Sequence, residues 1–179
     1  MNSKVAYQLY AAFARNGFNV VRFNFRGVGN SEGEFDNGPG ELADAAAALD
    51  WIHSQHPHAP GIWISGFSFG AWIMLQLLMR RPDVARFVAV SPPANMYDFS
   101  FLSPCPASGL VLMGDNDDVT PMENTVEMVK NTTRQKNVTI HTSVIKGADH
   151  FYTDYMDEFS KRLDAYIQQF HPLKRPIAA

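Results

Sequence analysis

Apolar residues along the chain follow two alternating rhythms, one with the 3.6-residue period of a helix and one with the tighter spacing of a strand. Val5, Leu9, Ala12 and Phe13 recur at helical spacing between Ser3, which can cap a helix start, and Gly17, which can end one. Residues 18–25 (Phe-Asn-Val-Val-Arg-Phe-Asn-Phe) read as a strand, and 26–40 as a loop rich in glycine and acidic residues. An alanine-dense helix is predicted over 41–54, ended by the His-Pro-His-Ala-Pro run at 56–60. A second strand, 61–66, leads into an apolar helix over 69–80, which Pro82 stops. The rest of the pattern predicts strands at 86–91, 108–113 and 138–145 and helices at 121–135 and 154–170. Strands alternating with helices through short loops predict an α/β fold, a mostly parallel sheet with helices on both faces, with residues 1–179 as a single domain.

Composition narrows the picture. With 46% of residues hydrophobic and 18% charged, the chain lacks the signature of disorder. Lys plus Arg number 15 against 18 Asp plus Glu, a net charge of −3. The basic excess that holds proteins to phosphate backbones is missing, and no nucleic-acid partner is expected. The single cysteine, Cys105, can form neither an intrachain disulfide nor a cysteine-rich zinc site. Set between Pro104 and Pro106 without an adjacent basic residue, it reads as a buried, inert thiol. Met1-Asn2-Ser3-Lys4 carries no apolar signal core, so the cytoplasm is the expected compartment. The uncharged run 61–79 approaches a membrane span in length, but its Gly66-Phe67-Ser68-Phe69-Gly70 centre splits it into a strand and a helix too short to cross alone. No membrane partner is expected.

That Gly-Phe-Ser-Phe-Gly centre is a G-x-S-x-G between a predicted strand and a predicted helix, the context a nucleophile elbow requires. The tight turn calls for small residues at both flanks and presents the Ser68 hydroxyl at the carboxyl end of the strand. The Phe69 N–H, at the helix start, is placed to stabilise an oxyanion. A serine needs a base to take its proton, and the base needs an acid to orient it. His150, in Gly147-Ala148-Asp149-His150-Phe151, follows the last predicted strand. Asp115, Asp117 and Asp118 follow the strand before it and all stand as candidates for the acid. Loops leaving the carboxyl ends of parallel strands can converge, so the order Ser, Asp, His is that of a triad on an α/β sheet. No histidine pair sits at i, i+4 beside a glutamate, and neither a metal nor a cofactor is expected.

From about Ser3 to Phe170 the chain resembles the α/β-hydrolases. The resemblance implies that Asp117, with Pro121 four residues on, is the acid, that His150 is the base, and that Asp115 and Asp118 are loop caps or solvated charges. The loop Arg26-Gly27-Val28-Gly29-Asn30-Ser31 is similar to that family's R-G-x-G-x-S turn. It is not a dinucleotide fingerprint, because Glu32 occupies the third glycine's place and, with Glu34, would repel phosphate. The runs 22–29, 66–72 and 98–102 resemble a small bacterial group of the family whose substrates are unassigned. The short 92–107 connection leaves no room for a large lid. Phe67, Phe69, Tyr97, Phe99, Phe101 and Phe151 could then line an open pocket for small or medium acyl esters, thioesters or amides. The expected activity is serine hydrolysis through an acyl-enzyme.

The same resemblance implies strands ahead of residue 4, one of them between 18–25 and 61–66, with a loop supplying a second oxyanion donor. The expectation is an N-terminally truncated hydrolase fold. Without that strand, either 18–25 pairs directly with 61–66 or another segment fills the space. The rival reading is a non-catalytic hydrolase-fold binding module. Oligomeric state is not legible.

Overall fold

In the computed structural model, residues 3–171 are described. Ser3 opens α1 (Lys4–Arg15), its Oγ accepting from the Ala6 N–H at 3.2 Å, and Gly17 follows the helix at φ +86°. The chain continues through α2 (Pro39–Gln55), β1 (Ile62–Phe67), α3 (Phe69–Leu78) and β2 (Val84–Val90). After a short 3₁₀ turn at Ser100–Leu102 come β3 (Ser108–Gly114), α4 (Met122–Asn131), β4 (Ile140–Ile145) and α5 (Met156–Phe170). The four strands form one parallel sheet in the order β1-β2-β3-β4.

Alternation along the strands divides the core in two. Phe87, Ala89, Val111 and Met113 cluster with Leu42, Leu49, Ile73 and Met128 from α2, α3 and α4. Val88, Val90, Leu110 and Leu112 face the other way, toward Leu9, Phe13, Phe159 and Leu163 of α1 and α5. Strands buried on both faces read as continuous apolar runs rather than alternating ones, which explains the unbroken Leu110-Val111-Leu112-Met113. The uncharged run 61–79 resolves into β1 and α3, and among the described residues no helix is long and apolar enough to cross a membrane.

Two expectations need correction. Residues 18–25 do not form a strand. Phe18, Val20, Val21 and Phe25 are half-buried and Phe23 is exposed, but among the described residues no backbone hydrogen bond joins 19–24 to β1, which pairs with β2 alone. A strand exists only with a ladder partner, and here the nearest sheet edge stands across a cleft from the segment. The helix expected over 121–135 ends at Asn131. Beyond it the backbone pairs with Cys105 instead: Cys105 N–H donates to Thr133 O at 2.9 Å and Gln135 N–H to Cys105 O at 3.2 Å. Cys105 itself is buried, its Sγ donating to Ala107 O at 3.3 Å, and burial pushes the thiol pKa up.

Candidate active site

Ser68 lies between the end of β1 and the start of α3, at φ +53°, ψ −125°, a backbone region that L-residues seldom occupy. What permits the turn is Gly66: a Cβ there would collide with the carbonyl of Gly70. The requirement is one-sided, because a Cβ on Gly70 would meet nothing within 4 Å. Phe69 is the first residue of α3, so its N–H has no acceptor within the helix and points outward at the positive end of the dipole.

Three loops from the carboxyl ends of β1, β3 and β4 converge. His150 Nε2 stands 3.1 Å from Ser68 Oγ, and His150 Nδ1 stands 2.8 Å from Asp117 Oδ2. Both His150 and Asp117 are buried. The ionised carboxylate can only accept, so Nδ1 carries the ring proton and Nε2 is left to accept from the Ser68 hydroxyl. Burial pushes the Asp117 pKa up, but the His150 bond and the Thr120 donors overrule it and hold the carboxyl below its ordinary value. Those donors are the Thr120 N–H to Oδ1 at 2.7 Å and the Thr120 hydroxyl to Oδ2 at 2.7 Å, with the Val119 N–H to Oδ1 at 3.0 Å. Asp-x-x-Thr is an Asx-type turn motif, the signal by which Thr120 could have been found in the sequence.

Asp115 and Asp118 are exposed and stand outside this arrangement. The Asp115 carboxylate accepts from the Gly147 N–H, and the Asn116 N–H donates to Ala148 O at 3.1 Å, so the loop bearing Asp117 is fastened to the loop bearing His150. Two residues past His150, the buried Tyr152 adopts φ +54° and its hydroxyl lies 2.8 Å from Ser91 Oγ, anchoring the loop to the end of β2.

The aromatic residues separate into groups. Phe67 packs against the His150 ring, centroids 4.8 Å apart, and exposed Phe151 stands edge-on to both. In a second group, Phe69 touches Tyr97, which stacks on Trp72 at 4.3 Å. Phe25 and exposed Phe35, which no local motif marks, complete that group against Phe69, at 6.0 Å and 5.5 Å. Phe99 belongs to the core and stacks on Phe101, and among the described residues no ring contact joins either to the other two groups. The R-G-x-G loop is held structurally. Arg26 makes an ion pair of 2.7 Å with Asp44, and buried Glu41 accepts from the N–H groups of Asp36 and Gly38.

Fold and site together define the class: an α/β serine hydrolase without a large lid. The chain belongs to the X-Pro dipeptidyl-peptidase (S15) family, whose match covers residues 1–169. An uncharacterised Rickettsia prowazekii protein is 48% identical over 171 residues, covering 93% of this chain and 72% of that one. The crystal structure of an Agrobacterium tumefaciens α/β-hydrolase-type protein of unknown function superposes with a TM-score of 0.90 at 45% identity, covering 98% of this chain and 82% of that one. A Xanthomonas campestris α/β serine hydrolase without a lid gives a TM-score of 0.88 at 30% identity, covering 98% of this chain and 77% of that one.

Proposed function

We propose that the protein cleaves small or medium acyl esters, and by the same chemistry thioesters or amides, with Ser68 as nucleophile, His150 as base and Asp117 as the orienting acid. The observation that carries this reading is the continuous chain Ser68 Oγ–His150 Nε2 (3.1 Å) and His150 Nδ1–Asp117 Oδ2 (2.8 Å). Ser68 Oγ attacks the acyl carbonyl as its proton passes to Nε2, and the Phe69 N–H donates to the oxyanion. The protonated imidazole, stabilised by Asp117, then gives that proton to the leaving group as the tetrahedral intermediate collapses to the acyl-enzyme. Water, deprotonated by the same Nε2, releases the acid; an alcohol in its place would give acyl transfer. Phe67 and Phe69, the chain neighbours of Ser68, each belong to a ring group, with Phe151 and with Tyr97, which favours substrates with apolar substituents.

A non-catalytic binding role is favoured by one feature. Among the described residues no strand pairs with the outer edge of β1, and the Phe69 N–H is the one oxyanion donor identified there; the loss of a second such donor costs ~10²–10³ in turnover. Labelling the purified chain with a fluorophosphonate, and locating the adduct by peptide mass spectrometry, separates the two. The hydrolase reading expects modification at Ser68 and none in Ser68→Ala, with the two proteins melting at nearly the same temperature. A folded chain that remains unlabelled overturns it.

A further inference from the structure

Two residues outside the triad combine a left-handed backbone with full burial. Ser91, the first residue past β2, has φ +43°, and Tyr152, two residues past His150, has φ +54°. Serine seldom adopts that region and a bulky tyrosine still less, and such residues persist only where their surroundings hold them. Here each is held by the other. Ser91 Oγ and Tyr152 Oη lie 2.8 Å apart, and neither residue exposes more than 1% of its surface. Tyr152 Oη also stands 3.5 Å from Leu112 O, and its ring packs on Phe159 of α5, centroids 4.8 Å apart. Burial pushes the phenol pKa up, so the group stays neutral and keeps its proton for a hydrogen bond. Neither hydroxyl lies on the proton path from Ser68 through His150 to Asp117.

What the pair joins gives it meaning. Val90 O, one peptide before Ser91, accepts the Ser68 N–H at 2.9 Å, and the Ser91 N–H donates to Leu112 O at 2.8 Å. The end of β2 therefore holds the nucleophile's backbone on one side and is fixed to β3 on the other. On the Tyr152 side, the turn carrying His150 is closed on itself. The Tyr152 N–H donates to Asp149 O at 3.1 Å, and the Thr153 N–H and hydroxyl both donate to the Asp149 carboxylate at 2.8 Å. His150 lies inside that turn and moves with it. A continuous line of contacts thus runs from Ser68 through Val90, Ser91 and Tyr152 to His150, behind the 3.1 Å gap that the proton must cross.

We infer that Ser91 and Tyr152 are positioning residues whose hydrogen bond sets the distance between Ser68 Oγ and His150 Nε2. The inference rests on the hydrolase reading above and adds that nucleophile and base are spaced by the end of β2, a strand that gives no side chain to the triad. Misplacement of reacting groups by about 1 Å costs on the order of 10² in rate. His150 serves both acylation and deacylation, so the two steps slow together. Neither hydroxyl is exposed to substrate. Loss of the bridge therefore lowers kcat and leaves KM in place.

The test uses the full chain, with a fluorophosphonate to label Ser68 and p-nitrophenyl butyrate as substrate. Tyr152→Phe keeps the ring on Phe159 and removes only Oη. Ser91→Gly removes Oγ and suits the positive φ, which favours folding. Each is expected to lower kcat about tenfold or more with KM within about twofold, and to slow labelling as well. The double variant should fall no more than about twofold below the weaker single one, because one hydrogen bond can be broken only once. Circular dichroism melts identify the proteins that are folded at the assay temperature, and either single variant carries the test if the other does not fold. Full kcat in a folded single variant overturns the inference, since a structural role alone moves the melting temperature and not the turnover of folded protein. Losses that multiply in the double variant overturn it too, as does a raised KM with kcat unchanged. A labelled wild type with such variants fails this inference alone. A folded wild type that takes no label fails the hydrolase reading and the inference with it.

Discussion

Thr120 and Asp117 are joined at two points, backbone N–H to Oδ1 and hydroxyl to Oδ2, each at 2.7 Å, and the same hydroxyl stands 3.3 Å from His150 Nδ1. The hydroxyl has one proton, and it donates that proton's hydrogen bond to the carboxylate. Thr120 therefore fixes the carboxylate plane in which the imidazole N–H must lie. A hydrogen bond from a neutral donor to a buried charge contributes about 1.5–3 kcal/mol.

Thr120→Val keeps the backbone donor and the side-chain volume but removes the hydroxyl. It is expected to lower kcat/KM for an acyl ester by roughly tenfold to a hundredfold. Thr120→Ser should restore most of the loss, which a purely steric role for the side chain would not allow. Steady-state kinetics on the three proteins, with thermal melts as controls, check this.

Asp117→Asn should cost on the order of 10⁴ in kcat, because an amide in place of the carboxylate favours the wrong imidazole tautomer. Asp115→Asn should cost far less, since its carboxylate only receives the Gly147 N–H from a neighbouring loop. A larger loss at 115 than at 117 would transfer the acid's role.

At the elbow, Gly66→Ala drives a methyl into the Gly70 carbonyl and should destabilise by about 1–3 kcal/mol or prevent folding. Gly70→Ala meets no neighbour and sits in the first turn of a helix, so its melting temperature should hold or rise. Denaturant unfolding of the two variants distinguishes them, and similar losses at both would contradict the one-sided packing described above.

Acid should loosen the protein through identified carboxylates. Asp117, Asp44 and Glu41 are all held below their ordinary values. Asp44 is lowered chiefly by the Arg26 guanidinium; Glu41 is pushed up by burial but lowered further by the N–H groups of Asp36 and Gly38. A carboxylate with a depressed folded-state pKa contributes stability above its unfolded value, near 4, and loses it as pH falls toward the folded value. Melting temperatures should be flat from pH 7 to about 5 and fall below that. Asp44→Asn should be less stable at neutral pH and show a shallower acid decline.

The sheet was legible where strands carry their burial in their composition. Leu110 to Met113 could not be anything but a central strand or a buried helix, and its length decided between them. Residues 18–25 depart from the expected strand for a physical reason: alternation reports that a segment can lie on a sheet, whereas a ladder depends on which edge stands beside it. α4 ends before the expected position because Thr133 and Gln135 find non-local partners in Cys105. At the site, spacing conveyed the order of Ser68, Asp117 and His150. The approach of their polar atoms to hydrogen-bond distance is a property of the fold. Thr120 was within reach of a local pattern, the Asp-x-x-Thr turn, whereas Phe35 acts through Phe69, a neighbour distant in the chain that no local pattern encodes.

The fastening of the Asp117 loop to the His150 loop, through the Asp115 carboxylate, the Asn116 N–H and the His150 Nδ1–Asp117 Oδ2 bond, makes acid and base a single mechanical part. Ser68 is carried by a different part, the turn that ends β1. Disturbance reaching the site from the β1 edge is therefore felt at one joint, the 3.1 Å step between Ser68 Oγ and His150 Nε2, while the 2.8 Å step behind it travels intact. Activation of Ser68 by His150 therefore depends on how well the elbow turn holds that one distance.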